Sequence, residues 1–338
     1  MSAKSNYQPP FTITPEILNR VAAISEIVGR MTVISDQARA LQLRRINQVR
    51  TIHGSLAIEG NTLSEAQITA IIEGKRVIAP PREVQEVKNA LAVYSIFETL
   101  KSHSERDLLK AHRVLMTDLI DDAGRYRVGG VGVMAGKKVI HMAPPAGRVS
   151  QLMGNLLSWL ATTDMHPLIS SSIFHYEFEF IHPFSDGNGR MGRLGQSLIL
   201  ANWNPLFASL PVESLIFEHQ REYYKAIQES TRQTDSACFI AFMLRMVLEA
   251  VSAVTPQVTP QVAPQVADLL IALQGEMTRE MLQSALKLSD RKSFRDRYLK
   301  PALVDGFVEM TIPNKPNSRL QRYRLTNMGL EWRPQKKK

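Results

Sequence analysis

A single cysteine, Cys238, occurs in the 338 residues, which excludes an intramolecular disulfide and a cysteine-built metal cluster. Its setting, Ala237-Cys238-Phe239-Ile240, predicts a thiol packed in a core. No run of about 18 or more apolar residues is present, so no membrane span is expected. The opening segment, Met1 to Pro10, is polar, has one lysine and lacks an apolar stretch. That argues against a secretory leader and for a cytoplasmic protein. No Gly-x4-Gly-Lys-Ser/Thr sequence occurs, so any nucleotide must be cradled by something other than a P-loop.

Uniform charge is missing too. The formal net charge is +9, yet residues 268–338 hold 15 Lys/Arg against 8 Asp/Glu, a net of +7. A basic balance gathered at one end points to a module that meets an anionic partner, with DNA the first candidate for 268–338. A protein-contact role for that module stays open.

The length favours more than one domain, at roughly 100–200 residues each. The plainest boundary is Thr255-Pro-Gln-Val, Thr259-Pro-Gln-Val, Ala263-Pro-Gln-Val. A proline at every fourth position removes N–H donors and disfavours helix at the residue before it, so an extended linker over 253–267 is expected. Before it, helical periodicity runs through 15–30, 35–59, 64–74, 82–101, 104–119, 148–162, 168–181, 189–202, 220–231 and 235–251. Val128 to Met142 alternates and is rich in glycine, which predicts a hairpin. After the linker, Asp268–Gln274, Thr278–Leu286 and Ser289–Leu299 read as short helices with Thr278 and Ser289 as N-caps. Two strands follow, around Phe307 and Arg322. The expected fold class is mainly α: a helical core with a small β-hairpin flap, plus a C-terminal winged helix-turn-helix. Ser289 to Lys300 would be the recognition helix.

The chemistry concentrates in thirteen residues, Ile181 to Arg193. Gly187-Asn188-Gly189 interrupts helical sequence, because two glycines in three residues are costly inside a helix. The segment is therefore a loop ending at a helix N-terminus, where free N–H groups and the dipole favour an anion. Arg190 and Arg193, three apart, share a face and can clamp phosphate oxygens. Asp186 offers a hard oxygen to Mg2+. His182 is a base that titrates near neutrality. Base, metal ligand, anion cradle and cationic clamp together suit transfer of a phosphorus centre to a hydroxyl. His175, seven residues before His182, lacks a clear third ligand and reads as a packed or surface histidine rather than a metal site.

His182-Pro-Phe-Ser-Asp-Gly-Asn-Gly-Arg-Met-Gly-Arg193 resembles the Fic family signature, His-x-Phe-x-Asp/Glu-Gly-Asn-Gly-Arg-x-x-Arg, at every fixed position. Gly124-Arg-Tyr-Arg127 and the hairpin resemble the family's flap, Arg221-Glu-Tyr-Tyr224 its nucleotide-lining helix, and Tyr7-Gln-Pro-Pro-Phe11 the extension of many bacterial members. The resemblance implies a Fic-type helical core over 101–252, preceded by an N-terminal helical extension over 1–100. It also implies a protein adenylyltransferase that uses ATP and Mg2+ to modify a target protein's hydroxyl, and itself. His182 would be the general base and Asp186 the metal ligand. Gly187, Asn188, Gly189 and Arg190 would hold the α- and β-phosphates, with Arg193 on the γ-phosphate. Tyr223 and Tyr224 would flank adenosine. Val131, Gly132, Val133 and Met134 would pair with the target's backbone by strand addition.

Ser55-Leu-Ala-Ile-Glu59-Gly60 closes a long expected helix, and Ser64-Glu-Ala-Gln67 reads as a capping box. A carboxylate in a last helical turn opposes the macrodipole and calls for a cationic partner. The segment resembles the family's inhibitory motif, Ser/Thr-x-x-x-Glu-Gly/Asn, which implies that Glu59 pairs with Arg193 and blocks placement of the γ-phosphate. AMP removal, phosphotransfer, a DNA-binding regulator with a nucleotide-sensing core, and a homo-oligomer stay open at this point.

Overall fold

The computed structural model describes residues 7–31, 37–135, 138–254, 264–315, 318–326 and 329–330. The chain forms two compact units, Met1–Thr255 and Pro256–Lys338. Among the described residues no helix is long and apolar enough to cross a membrane.

In the first unit the helices are α1 (Pro15–Met31), α2 (Gln37–Ile58), α3 (Glu65–Ile72), α4 (Pro81–Ser95) and α5 (Glu105–Leu115). The hairpin β1 (Gly132–Ala135) and β2 (Lys138–Met142) follows. Then come α6 (Val149–Thr162), α7 (Pro167–Ile181), α8 (Asn188–Trp203), α9 (Val212–Glu218), α10 (Gln220–Gln233) and α11 (Ala237–Val254). The capping box at Ser64 is present, with Gln67 N–H on the Ser64 hydroxyl and the Gln67 side chain returning to the Ser64 N–H. Helix α5 stops at Leu115, short of the expected 119, where the chain turns through Asp118 at a φ of 60°. Cys238 is half-buried, not the expected core thiol; Phe239 and Ile240 beside it take the interior positions.

Helix α7 is the axis of this unit. It is buried on nearly every side, from Leu168 to Glu179 and at Ile181, with the polar residues Ser170, His175, Glu177 and Glu179 buried along with the apolar ones. Phe174, Phe178 and Ile173 join Phe184, Phe239 and Met243 in the main core. The N-terminal extension is tied to this centre by polar contacts. Tyr7 donates to Glu177 on α7 at 2.6 Å, and Ser236 N–H and hydroxyl both reach the Pro10 carbonyl, at 3.0 and 3.1 Å. A smaller apolar cluster, Val49, Ile52, Leu56, Leu63, Ile68, Val87 and Ala90, binds α2 to α3 and α4.

Helix α2 lies closely on α9. A Cβ at Gly54 would fall 2.5 Å from Ser214 N and 2.6 Å from Glu213 C. Glycine is thus what allows the two backbones to approach.

In the second unit α12 (Pro264–Ala272), α13 (Arg279–Ala285) and α14 (Arg291–Phe294) lead into a π-helical turn, Arg295–Leu299, and α15 (Lys300–Val304). Strands β3 (Val308–Met310) and β4 (Tyr323–Leu325) pair antiparallel, and Met277 bridges to Tyr323. This is the element order expected of a winged helix-turn-helix. Thr278 caps α13 as expected, but Asp290, not Ser289, caps α14 through Lys292 N–H. The expected linker is shorter at both ends. Residues 253–254 belong to α11 and Pro264 opens α12, a position proline tolerates, while 255–263 lie outside the described residues.

Replacing Gly54 with Ala should lower stability by about 1–3 kcal/mol through overpacking. Gly29→Ala, where no atom lies within 4 Å, should raise it by about 1 kcal/mol through helix propensity. Urea midpoints of the two variants against the parent check both signs.

Candidate functional site

The site is built where α7 ends and α8 begins. His182 takes a left-handed backbone, φ 50° and ψ 62°, uncommon for a residue with a Cβ and a place where local strain is held by surrounding bonds. Arg127 supplies them. Its Nε donates to the His182 carbonyl at 2.7 Å, Nη2 to Ile181 O at 3.3 Å and Pro144 O at 2.5 Å, and Nη1 to Gly129 O at 2.8 Å. One buried guanidinium thus satisfies carbonyls at the helix end and anchors both sides of the hairpin. The hairpin pairs Gly132 with Met142 and Val133 with His141, with a bulge between Val133 and Met134. Residues 136–137 at its tip lie outside the described residues.

His182 Nδ1 lies 3.3 Å from the Glu179 carbonyl. A carbonyl only accepts, so the proton sits on Nδ1 and the Nε2 lone pair is left basic. The loop that follows is fixed by Asn188. Its amide accepts from Phe184 N–H and donates to Phe184 O, both at 2.9 Å. The Asn188 side chain therefore shapes the loop. Gly187 adopts φ 82° and opens α8, whose first turn contains Gly189.

His112 supports the loop from α5. It accepts from Gly124 N–H on Nδ1 at 2.8 Å and lies 3.0 Å from the Asp186 carbonyl on Nε2. Its ring stacks on Phe184 with centroids 3.6 Å apart. Burial lowers its pKa to about 4, so the ring is neutral with its proton on Nε2.

Asp186 is 43% exposed in its side chain. Gly187 N–H donates to one carboxylate oxygen at 2.6 Å, and Arg82 of α4 approaches the other at 3.2 Å. Among the described residues no group of three or more His, Cys, Asp or Glu is placed to hold a metal ion by itself. A lone accessible carboxylate beside an anion site fits Mg2+, which uses one or two carboxylates and completes its shell with water and substrate phosphates.

The two arginines behave differently. Arg190 lies 3.5 Å from Glu86 and 3.5 Å from Asp186, and its Nε and Nη1 make no hydrogen bond. Arg193, 1% exposed in its side chain, donates to Ser55 Oγ at 3.2 Å, Ser55 O at 3.0 Å and Glu59 Oε1 at 2.7 Å. Glu59 follows α2 and precedes Gly60, which at φ 92° closes the helix. The last four carbonyls of α2 are all engaged. Glu59 and Asn61 N–H groups reach Leu56 O and Gly60 N–H reaches Ala57 O. Arg193 holds Ser55 O, and Gln220 of α10 holds Ile58 O at 2.8 Å. Glu59 also lies against the first turn of α8: a Cβ at Gly189 would sit 2.3 Å from Glu59 Oε1. The carboxylate thus stands beside the N-terminal turn of α8.

Tyr223 is 2% exposed and its hydroxyl lies 3.1 Å from His175 Nε2. His175 Nδ1 donates to Gln196 at 2.6 Å, which makes it the packed histidine expected. In this conformation Tyr223 belongs to a polar core network and presents no face to a ligand, while Tyr224 beside it is half-buried. Arg127, His112, Arg82 and Gln220 were not among the expected site residues. Only Arg127 carried a signal, as the second arginine of Gly-Arg-Tyr-Arg before the hairpin.

Residues 102–200 match the Fic/DOC family model. Residues 264–326 match one described as Filamentation induced by cAMP protein Fic-like, C-terminal domain. A crystal structure of a Fic family protein from Desulfovibrio desulfuricans G20 is 54% identical with a TM-score of 0.72, over 95% of this chain and 99% of that one. "Protein adenylyltransferase Fic" of Nematostella vectensis is 29% identical over 217 residues, 60% of this chain and 47% of its own. The protein of the same name from Aedes aegypti is 30% identical over 227 residues, 63% of this chain and 43% of its own. The chain spans about half the length of these curated relatives.

The neutral state of His112 has a pH consequence. Its folded pKa lies below the unfolded value of 6.5, so the unfolded chain binds more protons between about pH 4 and 6.5. The stabilisation it contributes is complete above 6.5 and is lost as pH falls through that window. Glu213 and Glu179, whose pKa values burial raises to about 7 and about 8, work in the opposite direction. A comparison with His112→Gln isolates the histidine. Relative to that variant, the parent should lose on the order of 2 kcal/mol between pH 6.5 and 4, read from urea midpoints.

Proposed function

The chain belongs to the Fic family, and from that premise we propose that it is a protein adenylyltransferase. It moves AMP from ATP to a Ser, Thr or Tyr hydroxyl of a target protein, and to itself, and is held back by Glu59. The observation that carries this reading is the place of the Glu59 carboxylate, 2.7 Å from Arg193 Nη2 and against Gly189 in the first turn of α8. An anion already sits where the cradle favours one.

His182 Nε2 would take the proton of the acceptor hydroxyl. The hydroxyl oxygen would bond to the α-phosphorus as the bond to the bridging oxygen breaks and pyrophosphate leaves. Gly187, Asn188 and Gly189 would present the N-terminal turn of α8 to the phosphates. Arg190 brings two buried donors without hydrogen-bond partners. Arg193 would serve the γ-phosphate once Glu59 is displaced. Asp186 would hold Mg2+, whose charge offsets that of the phosphates. The backbone of 131–134, on the outer hairpin strand, would pair with the target segment, and Tyr224 is the tyrosine with exposed area left for adenosine.

The basic second unit supports a separate proposal, DNA binding through 268–338. Arg291, Lys292, Arg295, Arg297 and Lys300 are all exposed along its third helix. Cations along an exposed helix are suited to phosphates.

With α-labelled ATP and Mg2+, Glu59→Gly should label itself at least tenfold more strongly than the parent, and Glu59→Gly/His182→Ala should not label. Absence of α-label in an ATP-binding Glu59→Gly chain would overturn the transferase reading, and label from γ-ATP would replace it with phosphotransfer.

A further inference from the structure

Glu179 has no part in the reaction as written, yet it is buried beside the base. It is 3% exposed, one turn before His182 on α7. Its Oε2 lies 3.7 Å from His182 Nδ1 and its Oε1 3.9 Å from His175 Nε2. Oε1 has no hydrogen-bond partner. A buried carboxyl oxygen left unmatched costs about 1–3 kcal/mol, and a leucine there would pack without that cost. Such an atom calls for a reason beyond packing.

The groups that face it come from every neighbouring element. His175 and His182 lie on α7 itself. Arg193 and Gly192 come from α8, where a Cβ at Gly192 would lie 2.8 Å from Oε1. Tyr223 comes from α10 and Glu59 from the end of α2. Burial raises the carboxyl's pKa to about 8, with Arg193 opposing and Glu59 reinforcing the rise. The group is therefore mainly protonated below that pH, and the contribution of its carboxylate grows as pH rises through about 8.

We propose that Glu179 is the positioning residue for His182. Its carboxylate holds the Nδ1–H side of the ring, leaves Nε2 as the atom that accepts the hydroxyl's proton, and balances the imidazolium formed when it does. The backbone carbonyl of the same residue, 3.3 Å from Nδ1, sets the tautomer; the side chain adds the charge that a carbonyl lacks. After AMP transfer the proton leaves Nε2 for solvent, and Glu179 is unchanged. This inference rests on the reading of His182 as the base.

The test uses the full chain carrying Glu59→Gly, alone and with Glu179→Gln, Glu179→Asp or His182→Ala. AMP transfer is followed from pH 5.5 to 9, and the His182 ring is titrated by NMR. Glu179→Gln should lower kcat about tenfold or more with the KM for ATP within twofold. It should flatten the rise of rate with pH and lower the His182 pKa by about one unit. Asp, which keeps the charge, should outperform the better-fitting Gln. If Gln instead preserves rate, pH profile and His182 titration while Asp fails, Glu179 is a packing residue and the proposal falls. If Glu59→Gly transfers nothing, the transferase reading fails separately, and the His182 titration still decides whether Glu179 sets the ring. Should Glu179→Gln not fold, the Asp variant's His182 pKa carries the decision: a value near the parent's sustains the proposal, and a fall of a unit overturns it.

Discussion

The guanidinium of Arg193 is almost entirely removed from water, and a charge in that position must be matched. Burial alone would loosen its proton; Glu59 foremost, together with Tyr223 and Glu179, reverses this and holds its pKa above the ordinary arginine value. Removing one member of a buried ion pair leaves the other uncompensated, at a cost of roughly 3–5 kcal/mol. Arg193 is thus stable with an anion beside it and unstable without one. An entering phosphate would not fill an empty site but exchange one anion for another. Under the proposed reading, competition for this one buried cation would make the Glu59 carboxylate and a substrate phosphate exclude each other.

The strength of that competition depends on how firmly Glu59 is presented. A carboxylate at the end of α2 faces the negative end of the helix dipole. The helix end is nevertheless tightly held, because its last four carbonyls are taken by Glu59 and Asn61, Gly60, Arg193 and Gln220. Arg193 does double duty here, since the same Nη2 reaches Ser55 O and Glu59. Loss of Glu59 by displacement therefore need not release α2. Gly54 keeps the helix on α9, and Gln220 keeps its end on α10. The side chain can leave while the backbone stays.

Much of this was legible in the sequence because the chemistry is local. His182 to Arg193 lie within one helix-loop-helix, and glycine spacing alone places an anion site there. Ser55 to Gly60 could be read because a terminal acid before glycine is at odds with the dipole. The supports were not legible. Arg127 and Gln220 bind backbone carbonyls, which leave no mark on residue type, and His112 reaches the loop from α5, far off in sequence. Asn188 could not be assigned to cradle or ligand without knowing which way its amide points. Tyr223 and Tyr224 are adjacent in sequence but differ in burial. Helical phase decides that, and an aromatic pair alone does not reveal it. Helix α9, only seven residues long, was too short for periodicity to show.

The same buried network holds His182 near the Glu59–Arg193 pair. Arg193 of α8, Glu179 of α7 and His182 at the end of α7 lie together, and the glycines of α8 allow two close approaches: a Cβ at 192 would meet Glu179 of α7, and one at 189 would meet Glu59 at the end of α2. Close approach puts Arg193, His182 and Glu179 in one low-dielectric region, where each charge is felt by the others. A substitution that widens the α7–α8 contact would therefore weaken the clamp and the base together. The contacts of α8 with Glu179 and with Glu59 thus share one packing constraint, set by its small residues.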